Sequence, residues 1–114
     1  MKTLNYNITG TTKTKIYSAI EDVSDGPTMT IANLKPEVCS ASLFYHKENY
    51  TPDNSGEFGA VISEEVYYVL NRFVMSGYKT LTLDKTDFGF SNKGFDLYIQ
   101  CADEADEIDV IANI

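Results

Sequence analysis

Five apolar residues, Val66, Val69, Leu70, Phe73 and Val74, recur at offsets 0, 3, 4, 7 and 8 along Ser63–Ser76, the spacing that lines one face of a helix. Ser63 supplies an N-cap hydroxyl, Glu64 and Glu65 suit the positive end of a helix dipole, and Gly77 stands where a left-handed cap would close the segment. The pattern predicts a helix over 63–76. A second helix is expected over Thr12–Val23, where Ile16, Ala19, Ile20 and Val23 fall at 0, 3, 4 and 7 before the breaker Asp25-Gly26-Pro27. Thr11, Thr12 and Thr14 pull that segment toward extended structure.

Alternation with period 2 marks the strands. Leu4, Tyr6 and Ile8 alternate in the first segment, Met29 and Ile31 in the third, and Leu81 with Leu83 after the predicted helix. In Phe95–Cys101 the residues Phe95, Leu97, Ile99 and Cys101 point one way and Asp96, Tyr98 and Gln100 the other, as in a sheet with one wet face. Ser91-Asn92-Lys93-Gly94 is turn chemistry, so Thr86–Phe90 is expected to pair with that strand as a hairpin. Ile108, Val110 and Ala112 alternate as a last strand. Pro36–Tyr45 favours a strand through Cys39, Ala41, Leu43 and Tyr45, although Pro36-Glu37 equally suits a helix start. His46–Glu57 reads as a long loop and a candidate binding segment.

Together these elements predict an α+β fold: a single domain over 1–114, with an antiparallel or mixed sheet of about five or six strands packed on one face by one or two helices. A chain of 114 residues fits one domain and buries roughly two thirds of its unfolded surface, enough for a core without disulfides or metal. Cys39 and Cys101 are expected as reduced core thiols, with a disulfide between them left open. Polar residues interrupt the apolar ones from Met1 to Ile8, and no later run approaches the roughly 18 apolar residues of a membrane span. A cytoplasmic location, in a bacterium or an infected host cell, is expected.

Charge changes the picture most. Seventeen acids against nine bases give a net charge of −8, which argues against direct nucleic-acid binding. Residues 1–20 carry Lys2, Lys13 and Lys15 without an acid, a net +3, whereas residues 95–114 carry six acids without a base, a net −6. Five of those six, Asp103, Glu104, Asp106, Glu107 and Asp109, lie within seven residues. Three readings compete for them: a solvated turn that protects a sheet edge, a hard-cation site, and an acidic docking surface. The glycine and closing Glu of a calcium loop are missing. Asp103-Glu104-Ala105-Asp106 spells a helicase tetrad, but the phosphate loop and second domain that chemistry needs do not accompany it.

Catalytic patterns are sparse. One histidine excludes an HExxH site, and no GxGxxG, GxxxxGK[ST] or GxSxG occurs. Cys39 and His46 would lie roughly 23 Å apart along a strand, too far for a nucleophile and base. The sequence therefore points to a non-catalytic protein with no cofactor and no metal. The expected function is that of a small intracellular inhibitor or immunity-type protein, of the kind phages and mobile elements encode. It would dock an acidic surface, formed by Asp96, Tyr98, Asp103, Glu104, Asp106, Glu107 and Asp109, on a basic nucleic-acid-binding partner such as a nuclease, restriction or CRISPR effector. Exposed tyrosines, among them Tyr50, Tyr98 and Tyr67 or Tyr68, would add contact area. The alternatives are a small-molecule or nucleotide-sequestering protein with a pocket at an oligomer interface, and a structural or assembly protein.

Overall fold

The computed structural model describes residues 3–18, 28–50, 61–88 and 95–113. Eight strands run through them: β1 (Thr3–Thr9), β2 (Thr14–Ser18), β3 (Thr28–Asn33), β4 (Cys39–Tyr50), β5 (Val61–Met75), β6 (Thr80–Leu83), β7 (Asp96–Cys101) and β8 (Glu107–Asn113). They form two four-stranded antiparallel sheets, sheet A in the order β1-β8-β3-β6 and sheet B in the order β2-β7-β4-β5. One continuous apolar core joins their inner faces, with Ile31, Ile108 and Val110 of sheet A and Leu43, Leu97 and Ile99 of sheet B wholly buried. The architecture is a β-sandwich. Tyr45 lies fully buried in it, its ring meeting Phe88 and Phe95 edge-on at 6.5 and 6.4 Å.

The α+β expectation is overturned, for the described residues contain no α-helix and are 72% strand. The segment expected as a helix over 63–76 is β5, antiparallel to β4. Its composition, rich in Val, Tyr and Phe, suits a strand, and bulges explain the misleading period. Three residues of β5 span the register from Phe73 to Leu70 against two from Ala41 to Leu43, and a second shift follows between Leu70 and Tyr68. Each extra residue advances the alternation by one. The five residues therefore do not share a face: Leu70 and Phe73 lie opposite the core residues Leu43 and Ala41, while Val66 and Val74 lie opposite the outward His46 and Ser40. Arg72 takes up one bulge with a positive φ of 51°, its N–H donating to Ser42 Oγ at 2.9 Å.

The second expected helix is likewise a strand where it is described. Thr14–Ser18 pairs with β7, and a register shift between Lys15 and Tyr17 lets Ile16 point into the core. Residues 19–27, including the expected breaker, lie outside the described residues. The expected hairpin of Thr86–Phe90 with 95–101 is not formed: β7 pairs with β2 and β4, and Lys85–Phe88 is a 3-10 turn. Residues 89–94 lie outside the described residues, as do 51–57 of the long loop expected over His46–Glu57, whose first residues, 46–50, belong to β4.

The period-2 assignments agree with the fold. Ile8, Met29, Ile31, Leu83, Leu97, Ile99, Cys101, Ile108, Val110 and Ala112 all face the core from the strands their alternation predicted. The Pro36–Tyr45 segment is extended from Cys39 onward. Beyond His46, the last residue of β4 that pairs with β7, β4 and β5 continue, among the described residues, as a two-stranded ribbon through Tyr50 and Val61.

Candidate functional site

The C-terminal acids divide into three groups with different work. Asp106 is 8% exposed and builds the turn between β7 and β8. Its Oδ2 accepts the N–H groups of Asp103 at 3.2 Å and Ser40 at 3.5 Å, and its own N–H donates to the Asp103 carbonyl at 3.1 Å. Asp103 accepts the Ala105 N–H at 2.9 Å in an Asx turn. Glu104 reaches sideways to the Thr11 hydroxyl and stands over Gly10, whose φ is +73°. Glu107 and Asp109 point outward from β8 and share the Asn7 amide, which donates to them at 3.1 and 3.0 Å.

Asp96 and Tyr98 are elsewhere. They face outward from sheet B, and Asp96 sits at the far end of β7, roughly 17 Å along the strand from the turn. The fold thus separates the seven sequence-predicted residues into the β7–β8 turn, the outer face of sheet A and the outer face of sheet B.

Tyr98 lies within an aromatic cluster. Antiparallel register sets Lys15, Tyr98, Phe44 and Tyr68 side by side across sheet B, with Asp96, His46 and Val66 in the next row and Glu48 opposite Glu64 beyond. The Phe44 and Tyr98 rings stack at 5.9 Å and 21°, and Tyr68 tilts over Phe44 at 5.5 Å. Phe44 is only 7% exposed on a solvent-facing side because the two tyrosines cover it. Tyr98 meets the His46 ring edge-on at 5.9 Å, and the Lys13 ammonium lies 4.5 Å from the Tyr98 centroid. Burial, then the Asp96 and Glu48 carboxylates, push the Tyr98 hydroxyl above its ordinary pKa. An aromatic centre whose Phe44 is buried beneath two accessible tyrosines, with charges around it, can bind a protein surface.

Phe44, Glu64 and the packing role of Tyr68 are additions to the sequence reading, whereas His46 and Glu48 fall in the expected binding segment 46–57 but on a strand, not in a loop. One signal for them was visible. Along β4 the phase opposite Cys39, Ala41, Leu43 and Tyr45 reads Ser40, Ser42, Phe44, His46 and Glu48, so a large aromatic falls on the polar face.

The thiols are core residues. Cys39 and Cys101 are buried and unbonded, and Cys39 faces the core while His46, seven residues on, faces outward. Burial first, then the nearby Asp106 carboxylate, raise both thiol pKa values, that of Cys101 to about 12. An unfolded thiol ionises near 9, so between about 9 and 12 the unfolded chain binds fewer protons than the folded one. Stability is therefore expected to fall as pH rises through that window, and Cys101→Ala should flatten the decline in a urea titration. A decline as steep in Cys101→Ala as in the wild type would refute this assignment.

Among the described residues no helix is long and apolar enough to cross a membrane. No family model, no curated protein and no solved structure matches the chain.

Proposed function

We propose that the protein is a non-catalytic inhibitor or immunity-type protein that docks on a basic, nucleic-acid-binding partner such as a nuclease, restriction or CRISPR effector. The docking surface is the outer face of sheet B. One observation carries this reading: Phe44, Tyr68 and Tyr98 form a packed aromatic centre on a solvent-facing sheet, with Asp96, Glu48 and Glu64 along one side. Aromatic anchors supply most of the energy at protein interfaces, and flanking charges set partner choice and encounter rate. The chain's net charge of −8 favours a basic partner over an acidic one. Glu107 and Asp109 strengthen the long-range field from sheet A, whereas Asp106 is committed to its turn.

The test begins with capture on the immobilised protein at low salt, followed by binding measurements on each purified captured protein. A basic nucleic-acid-binding partner should bind more weakly as salt rises. Tyr68→Ala should weaken it at least tenfold, and Asp96→Asn should slow association and reduce the salt dependence. Affinity insensitive to both substitutions would sink the sheet B assignment. The assembly reading draws on β5, a 15-residue edge strand with Val66, Tyr68 and Val74 exposed. Sedimentation as a defined oligomer without a partner would favour it.

A further inference from the structure

We propose that His46, Glu48 and Glu64 form a binding site for a divalent transition-metal ion of the zinc type. The site shares Glu48 and Glu64 with the proposed docking face, but its geometry stands without the docking reading. One ligand atom from each residue lies within 4.8 Å of the others, and His46 Nε2 stands 3.7 Å from Glu64 Oε2. Zinc bonds of about 2.0–2.1 Å in a tetrahedron require donors roughly 3.3 Å apart, so small rotations of two exposed glutamates close the site. Imidazole nitrogen with two carboxylates, leaving positions for water, is a donor set that zinc accepts and that calcium, which takes oxygen alone, does not prefer.

The strand register supports the site without reference to side-chain positions. His46 and Glu48, two residues apart on β4, share a face, and Glu64 is the direct partner of Glu48 across the ladder. Like charges directly opposite one another disfavour a strand pair, and Glu48 and Glu64 face each other on the part of the ladder that, among the described residues, has no third strand. A cation between the two carboxylates reverses the sign of that interaction. The imidazole is already oriented: its side chain is 11% exposed, and the edge of Tyr98 meets it at 76°. Bound metal would cross-link β4 to β5 in that ribbon.

The test uses the purified chain with ZnCl2, and with CoCl2 as a spectroscopic substitute. Zinc should raise the Tm of the wild type by several degrees, and cobalt should develop the visible bands of a low-symmetry site with one nitrogen donor. Glu48→Gln and Glu64→Gln should each weaken zinc binding at least tenfold in calorimetry while the metal-free chain keeps a cooperative thermal transition. His46→Gln should abolish the cobalt spectrum. Glu107→Gln/Asp109→Asn, on the other sheet, should retain the full response. The proposal is overturned if zinc gives no shift, if the shift survives in the Glu48 and Glu64 variants, or if calcium at equal concentration stabilises as much as zinc.

Discussion

Gly77→Ala is expected to lower stability by about 4 kcal/mol, a large fraction of what a domain of this size possesses. Gly77 lies in the β5–β6 turn, where a Cβ would fall 1.9 Å from the Pro36 carbonyl oxygen and 2.6 Å from its carbon. The obstacle is backbone on both sides, so no side chain can swing away. Nor can the two segments separate cheaply, because Tyr78 N–H donates to the Lys35 carbonyl and Asn33 N–H to the Lys79 carbonyl, both at 2.9 Å. Thermal unfolding should show Gly77→Ala at least about 10 °C below the wild type. Gly10→Ala is the contrasting case: its φ of +73° is unfavourable for alanine, but the closest atom is the far end of the Glu104 side chain, at 2.7 Å. Its cost should be nearer 1 kcal/mol. Equal losses in the two variants would show that the Pro36 contact does not govern the turn.

The second large effect is at Asn33, the 2%-exposed residue that ends β3. Its Nδ2 donates to the carbonyls of Glu37 at 2.8 Å, Ser76 at 3.1 Å and Met75 at 3.4 Å, and its Oδ1 accepts the Lys35 N–H at 3.0 Å. One amide thus ties the β3–β4 connection to the end of β5. Asn33→Ala strands those carbonyls in a buried place and should cost about 2–4 kcal/mol. Asn33→Asp is the sharper test, because a carboxylate would face three carbonyl oxygens. Its folded-state pKa should rise above the ordinary value near 3.9, so its protonated form is the better tolerated and stability is lost as pH rises through the folded pKa. Relative to the wild type at each pH, Asn33→Asp should be the least stable variant at pH 7 and approach Asn33→Ala by about pH 4. A pH-independent difference between the two would refute the hydrogen-bond account.

Legibility followed strand regularity. Where pairing is unbroken, as in β1, β3, β7 and β8, the hydrophobic alternation named the core residues individually. Where bulges intervene, as at Arg72 in β5, the phase slips and apolar residues fall at helical spacing without sharing a face, and a register shift in β2 likewise breaks the alternation beside Ile16. The same logic governs the site. Tyr98 and Asp96 were readable because β7 alternates cleanly, whereas the partners Phe44, Tyr68, His46, Glu48 and Glu64 come together only through the register of β4 with β5 and β7. Local clustering misled in the opposite direction. Asp103, Glu104, Asp106, Glu107 and Asp109 are neighbours in sequence, yet Asp106 turns inward to bind backbone N–H groups while Glu107 and Asp109 share an asparagine on the far sheet. Charge density along a chain does not specify which carboxylates are surface and which are joinery.

The position of β8 governs when this fold can assemble. The last strand in chain order lies in the middle of sheet A, hydrogen-bonded to β1 on one side and β3 on the other. Until it docks, β1 has no neighbour among the described strands of its sheet and β3 has only the short β6. Closing the β1–β8 ladder joins residues about a hundred positions apart, so this step carries a loop-closure entropy and slow folding for the chain's size is the expected result. While β8 is undocked, β1 and β3 are incomplete edges. The polar Thr3, Asn5, Asn7 and Thr9 along the outward phase of β1 are suited to that interval, because they keep a strand soluble while it waits.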